Sequence, residues 1–64
     1  MKAFLNINDK NEVIVDLDKC LFIRRSENMI NFYYERSNCI IEYDNQELAK
    51  AALMKIFSLI GDDY

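Results

Sequence analysis

The 64-residue chain contains no histidine, no tryptophan and no proline, and Gly61 is its single glycine. Without histidine, the chain cannot build a Ser-His-Asp or Cys-His catalytic site, or a metal site with imidazole ligands. With one glycine, it has neither a phosphate-binding P-loop nor a dinucleotide-binding fingerprint. These absences exclude several large classes of enzyme and of nucleotide-binding domain.

The composition that remains is typical of one small globular domain covering residues 1–64. Hydrophobic residues make up 52% of the chain, which is too apolar for a disordered tail. Asp and Glu number 11 against 8 Lys and Arg, so the formal net charge is -3. No apolar stretch approaches the roughly 18 residues of a membrane span. We therefore expect a soluble, cytoplasmic protein with no membrane partner.

The two cysteines, Cys20 and Cys39, leave two alternatives open. A lone pair of cysteines in a chain without a signal-peptide pattern favours free, buried thiols. A disulfide between neighbouring strands is the other alternative. Two thiolates without histidine partners are too few ligands for a structural zinc site, so we expect no metal.

The first two-thirds of the sequence alternates between apolar and polar residues, which is typical of strands. Predicted strands cover residues 2–8, 12–17, 20–25, 29–36 and 39–43. Polar segments at 9–11, 26–28 and 37–38 favour tight turns, and a bend is predicted at Asp18 and Lys19. These are the four connections between the five strands. Hairpin-sized connections of this kind predict an antiparallel meander in which successive strands are neighbours.

The period changes after residue 43, and a helix is predicted over residues 46–60. Asp44 and Glu47 have the spacing of a capping box, so Asp44 is the predicted N-cap. Gly61 is predicted to end the helix in a left-handed conformation, and the acidic tail 62–64 is expected to fray. The apolar side chains that share one broad stripe at about 100° per residue are Leu48, Ala49, Ala52, Leu53, Ile56, Phe57, Leu59 and Ile60.

The predicted fold is α+β: a four- to five-stranded antiparallel β-meander with one C-terminal α-helix packed on one face. The side chains predicted to face the helix are Ala3, Leu5, Ile7, Val13, Val15, Ile30, Phe32, Tyr34, Cys39, Ile41 and Tyr43. One helix covers one face of such a sheet, so the opposite face should be polar if water covers it.

The opposite face is instead comparably apolar. Its predicted members are Phe4, Ile14, Met29, Tyr33 and Ile40. The third strand adds either Cys20 with Phe22 or Leu21 with Ile23, because its alternation leaves the orientation open. A contiguous exposed apolar patch usually marks an interaction surface, and a domain this small gains burial by association. We therefore predict a non-enzymatic protein-binding module that is a homodimer through this face or through an edge strand.

Two other functions are compatible with the sequence. The acidic charge suits an inhibitor or sequestering protein, of the phage or mobile-element type, that docks on a basic partner. Arg24, Arg25 and Arg36 are the candidate contacts to a polyanion such as a nucleic acid. The net negative charge disfavours nucleic-acid binding, which needs clustered positive charge.

Acid-base catalysis is the remaining chemistry that the composition allows. Asp16 and Asp18 lie two residues apart, a spacing that places both on one side of a strand. A sheet-plus-helix domain of 64 residues has little volume for a substrate cleft of several hundred Å³. We therefore predict no enzyme activity, no catalytic residue and no cofactor.

Overall fold

The computed structural model describes residues 1–8 and 10–61. Within them the chain forms five strands followed by one helix, which confirms the predicted α+β class. The predicted turn residue Asp9 and the acidic tail 62–64 lie outside the described residues. The elements, in chain order, are β1 Lys2–Asn8, β2 Asn11–Asp16, β3 Phe22–Ser26, β4 Met29–Tyr33, β5 Asn38–Glu42 and α1 Gln46–Gly61.

The strands form two antiparallel sheets, one of β1 and β2 and one of β3, β4 and β5, where a single meander was expected. The chain separates them between β2 and β3. The Leu17 amide still donates to the Met1 carbonyl (2.9 Å), whereas the Leu21 amide already donates to Tyr33 (2.7 Å). Between these points the Asp18 amide donates to Asp16 Oδ1 (3.0 Å), which turns the chain. As a result, β3 pairs with β4 and not with β2 in the described part of the chain.

Both sheets contribute to one hydrophobic core. The helix contacts β1, β3 and β4, so it spans the boundary between the sheets. The predicted helix-facing side chains are all buried or packed against this core. Those within strands lie on the inward phase, and Tyr34 and Tyr43 follow directly after β4 and β5. The fully buried hydrophobic residues are Ala3, Leu5, Val15, Ile30, Phe32, Ile41, Tyr43, Ala49 and Ile56.

The two ends of the helix differ from the prediction. Its N-cap is Asn45 and not Asp44, because the helix begins at Gln46 and Asn45 Oδ1 accepts the Leu48 amide at 2.9 Å. At the other end, Gly61 is the last helical residue that the structure describes, and its φ is not positive. The predicted left-handed end at Gly61 is therefore wrong.

The buried stripe of the helix is narrower than predicted. Ala49 and Ile56, two turns apart on one line, are its only fully buried members among the described residues. Leu48, Phe57 and Ile60 are exposed, Phe57 by 69% of its surface. Successive residues are rotated by about 100° around a helix, so Phe57 points away from the contact that Ile56 makes. Only the side of the helix that faces the sheets is therefore covered, and the predicted stripe is wider than that side.

The hairpin between β3 and β4 has a two-residue loop, Glu27 and Asn28, since Ser26 pairs with Met29. Hydrogen bonds hold Asn28 on both sides: its Nδ2 donates to the Tyr43 carbonyl (2.7 Å), and its carbonyl accepts the Tyr43 amide (2.8 Å). Glu27 takes a φ of 57°, a left-handed conformation that is unfavourable for a side chain of this size. The docked hairpin tip therefore imposes strain at Glu27.

Replacing Glu27 with asparagine should stabilise the protein, because asparagine adopts left-handed φ more readily. We expect the free energy of unfolding to rise by roughly 0.5–1 kcal/mol, measured by urea denaturation. The matched control is Glu35→Asn, at an exposed position without positive φ, which should leave stability unchanged. Equal effects of the two substitutions would contradict strain at Glu27.

Tyr43 buries a hydroxyl group without a hydrogen-bond partner among residues 1–8 and 10–61. Only 3% of its surface is exposed, and burial raises its pKa above the ordinary value of 10.0. An unsatisfied buried hydroxyl opposes folding, and its ionisation opposes folding further. The neutral phenol is therefore the form compatible with the folded state.

Replacing Tyr43 with phenylalanine should raise the free energy of unfolding by about 1 kcal/mol, because it removes the unpaired hydroxyl. The stabilisation of the neutral phenol is fully present below pH 10 and is lost as pH rises through the raised pKa of the folded state. Wild-type stability should thus fall more steeply above pH 10 than that of Tyr43→Phe, measured by urea denaturation at each pH. Tyr33→Phe is the control, since the Tyr33 hydroxyl accepts a hydrogen bond and its loss should not stabilise.

Candidate interaction surface

The outward side of the β3-β4-β5 sheet, here called the outer face, presents nine side chains in three rows. They lie opposite the buried Ile30, Phe32 and Ile41, because successive residues of a strand point to opposite sides. Strand pairing sets the rows. From β3 through β4 to β5, they are Phe22–Tyr33–Asn38, Arg24–Asn31–Ile40 and Ser26–Met29–Glu42.

An aromatic pair occupies one end of the outer face. The rings of Phe22 and Tyr33 are stacked, with centroids 4.2 Å apart and planes inclined by 16°. Asn31 Nδ2 donates to the Tyr33 hydroxyl (3.0 Å), and Asn38 Nδ2 donates to Asn31 Oδ1 (3.1 Å). This chain of hydrogen bonds fixes the Tyr33 ring, so little side-chain entropy is left to lose when the face binds a partner.

Aliphatic side chains extend the apolar surface beyond the aromatic pair. Ile40 is 57% exposed and Phe22 is 56% exposed, whereas the core residues of the same sheet are at most 4% exposed. Met29 is partly buried in the third row. No described element covers this side of the sheet, since the helix packs on the other. Exposed apolar residues that are contiguous in this way mark a surface suited to binding.

The outer face carries two opposite charges and no net charge. Arg24 lies on β3 and Glu42 lies on β5, both exposed, with β4 between them. Neither forms an ion pair with any residue that the structure describes. A surface of this kind favours an apolar contact with charge pairing at its rim and gives no net attraction to a polyanion.

The outer face forms no deep cleft. Six of its members surround a shallow depression of about 270 Å³: Arg24, Ser26, Met29, Asn31, Tyr33 and Ile40. Enclosed small-molecule sites are typically larger, about 300–1,000 Å³. Three or more Cys, Asp or Glu residues arranged to hold a metal ion do not occur within the described ranges. The geometry therefore suits a broad contact with another macromolecule.

The break between the sheets divides the predicted interaction residues. Met29, Tyr33 and Ile40 lie together on the outer face, whereas Phe4 and Ile14 lie on the two-stranded sheet. These last two are directly paired across β1 and β2, and they are 49% and 65% exposed. The sequence prediction placed all five on one sheet, and the structure places them on two.

The third strand follows neither of its two predicted orientations. Cys20 and Ile23 pack against the core, while Leu21 and Phe22 are exposed. The strand begins only at Phe22, so the alternation does not extend back to the preceding two residues. Sequence reasoning therefore left Phe22 out of the interaction set. The alternation of Phe22 with the exposed Arg24 and Ser26 is the signal that assigns it to the outer face.

Both cysteines are free, so the disulfide alternative is wrong. Cys20 Sγ contacts the Phe22 carbonyl (3.3 Å), and Cys39 lies opposite Phe32 on the inward side of the sheet. Both are close to Tyr34, whose pKa is raised by burial first and then by the charges of Cys20, Cys39 and Asp16. These thiols act as packing groups at the margin of the core.

The structure does not bring the three predicted polyanion contacts together. Arg24 is on the outer face, whereas Arg25 is partly buried and its Nη1 donates to the Glu27 carbonyl (2.7 Å). Arg36 lies in the loop between β4 and β5, at the opposite end of the sheet from the β3-β4 hairpin, where it borders an open cleft with Lys19.

The carboxylate pair considered for acid-base catalysis, Asp16 and Asp18, takes part in a local turn. The Asp16 side chain accepts a hydrogen bond from the backbone amide of Asp18.

No family model, curated protein or solved structure matches this chain. Among the described residues, no helix combines the length and the apolar character needed to cross a membrane.

Proposed function

We propose that this protein is a non-enzymatic protein-binding module that forms a homodimer through the outer face of its three-stranded sheet. The observation that carries the proposal is the stacked Phe22–Tyr33 pair, which lies beside exposed Ile40 on a hydrogen-bonded sheet. Aromatic residues on a rigid surface supply most of the binding energy in protein interfaces. A second copy of the chain offers a matching apolar surface of the same shape.

The size of the face favours a weak dimer that responds to concentration. Three strands about 5 Å apart, each about 17 Å long, give a footprint of roughly 250 Å². Standard interfaces bury about 800 Å² of accessible surface on each partner. Two such footprints total about 500 Å², less than a standard interface buries, so we expect association through this face alone to be weak and to need high protein concentration.

The charges of the outer face support a homodimer over the two alternatives. An inhibitor that docks on a basic partner would use a face of net negative charge, but Arg24 and Glu42 cancel here. A polyanion site would cluster its cations, but Arg24 is the only cation among the nine positions. A neutral, apolar face suits a copy of itself, because like charges are then not forced together.

Replacing Ile40 with lysine should prevent dimerisation, because it removes the exposed aliphatic side chain of the middle row and adds a second positive charge to the row that already holds Arg24. The position is 57% exposed, so we expect the fold to survive. Light scattering coupled to size exclusion, over a wide range of protein concentration, should show a concentration-dependent dimer for the wild type and a monomer for Ile40→Lys.

The matched control is Ile14→Lys, which changes an isoleucine of similar exposure (65%) on the two-stranded sheet. It should dimerise like the wild type, with both variants folded by circular dichroism. A wild type that stays monomeric at every concentration would overturn the homodimer. An Ile40→Lys protein that still dimerises, with Ile14→Lys monomeric, would move the contact to the other sheet.

A further inference from the structure

The two charges of the outer face form no ion pair with each other or with any other described residue. Arg24 lies in the middle row on β3, and Glu42 lies in the third row on β5. Two strand spacings in one direction and two residues in the other separate their backbones by about 12 Å. A sheet that used these charges for its own stability would place them on adjacent strands. Both charges are exposed and unpaired among the described residues, which leaves them free to pair across a contact with a second copy.

Two copies that pack face to face are related by a two-fold axis lying between their sheets. If the axis runs perpendicular to the strands and passes over the middle row, β3 lies over β3 of the second copy, and Arg24 faces Arg24. If the axis runs parallel to β4, β3 lies over β5 of the second copy. Arg24 then faces Ile40 of the second copy, with Glu42 of that copy two residues further along its strand. That offset is about 7 Å along the strands, and with two sheets about 10 Å apart the two backbones are about 12 Å apart. In this arrangement the arginine and glutamate side chains point toward each other across the gap between the sheets, whereas within one chain they project side by side from the same face.

We infer that the two-fold axis of the dimer runs parallel to β4 and that Arg24 of each copy pairs with Glu42 of the other. The inference rests on the proposed homodimer and specifies its partner surface and orientation. It avoids the contact between two arginines that the perpendicular axis requires, and like charges at an interface are strongly unfavourable. It also places Tyr33 against Tyr33 of the second copy, in the row where the aromatic pair is exposed.

The orientation predicts a specific pattern for charge reversal. Arg24→Glu leaves two glutamates facing each other across the dimer, and Glu42→Arg leaves two arginines. Each change occurs twice in a symmetric dimer, so each variant alone should dimerise at least tenfold more weakly than the wild type. Mixing the two variants restores both opposite-charge pairs, so the mixture should form a heterodimer of about wild-type affinity. The double variant should also dimerise like the wild type.

The experiment measures dissociation constants by sedimentation equilibrium for the wild type, each single variant, their equimolar mixture and the double variant. Recovery in the mixture shows that the single variants are folded, because a misfolded chain would not be rescued by its partner. Lys50→Glu and Glu47→Arg, which reverse exposed charges on the helix, are the matched controls. They should not change the affinity, alone or mixed.

The outcomes separate failure of the orientation from failure of the homodimer. If the wild type dimerises and Ile40→Lys does not, but both charge reversals dimerise like the wild type, the face is right and the orientation is overturned. Weakening of both single variants without recovery in the mixture also overturns the pairing of Arg24 with Glu42. A wild type that remains monomeric overturns the proposed function and this inference together.

Discussion

The packing of one helix across two separate sheets is the constraint on which the rest of the structure depends. The described strands of the two sheets share no backbone pairing, so the side chains around Ala49 and Ile56 join them into one core. A two-stranded sheet is marginal in water unless its apolar side is covered. The helix provides that cover for β1 and for β3 and β4 at once, and the small side chain of Ala49 allows a close approach.

This arrangement leaves the outward sides of both sheets uncovered by any described element. A 16-residue helix is already used on the inward side, and the pleat of each strand sends every second residue away from it. The exposure of Phe22 and Ile40, and the partial exposure of Tyr33, are thus a geometric consequence of how the core is built. That geometry does not explain why these exposed positions carry apolar side chains, because a side of the sheet that faces water favours polar ones. The polar residues that do lie there, Asn31 and Asn38, form the hydrogen bonds that hold Tyr33 in place.

The sequence was informative wherever one local pattern decided the structure. Alternation predicted the inward set from Ala3 to Tyr43, and the change of period predicted the helix from Gln46. It failed where long-range contacts compete with local pattern. The bend predicted at Asp18 and Lys19 is present, but the local pattern did not show that it leads the chain from one sheet to the other, because that depends on which strands pair. Helical periodicity likewise gives the direction of the buried stripe but not its width, which is set by the sheets below.

The two charges on the outer face also bear on how the sheet avoids unwanted pairing. β3 and β5 are the edge strands of their sheet, and an open edge beside exposed apolar residues favours association with further chains. Arg24 lies on one edge strand and Glu42 on the other. Charged side chains on edge strands oppose open-ended addition, whereas a closed two-fold contact uses each charge once and stops at two copies. The same pair of residues therefore favours the proposed dimer and disfavours larger assemblies. A purely apolar face of this shape would favour both kinds of association alike.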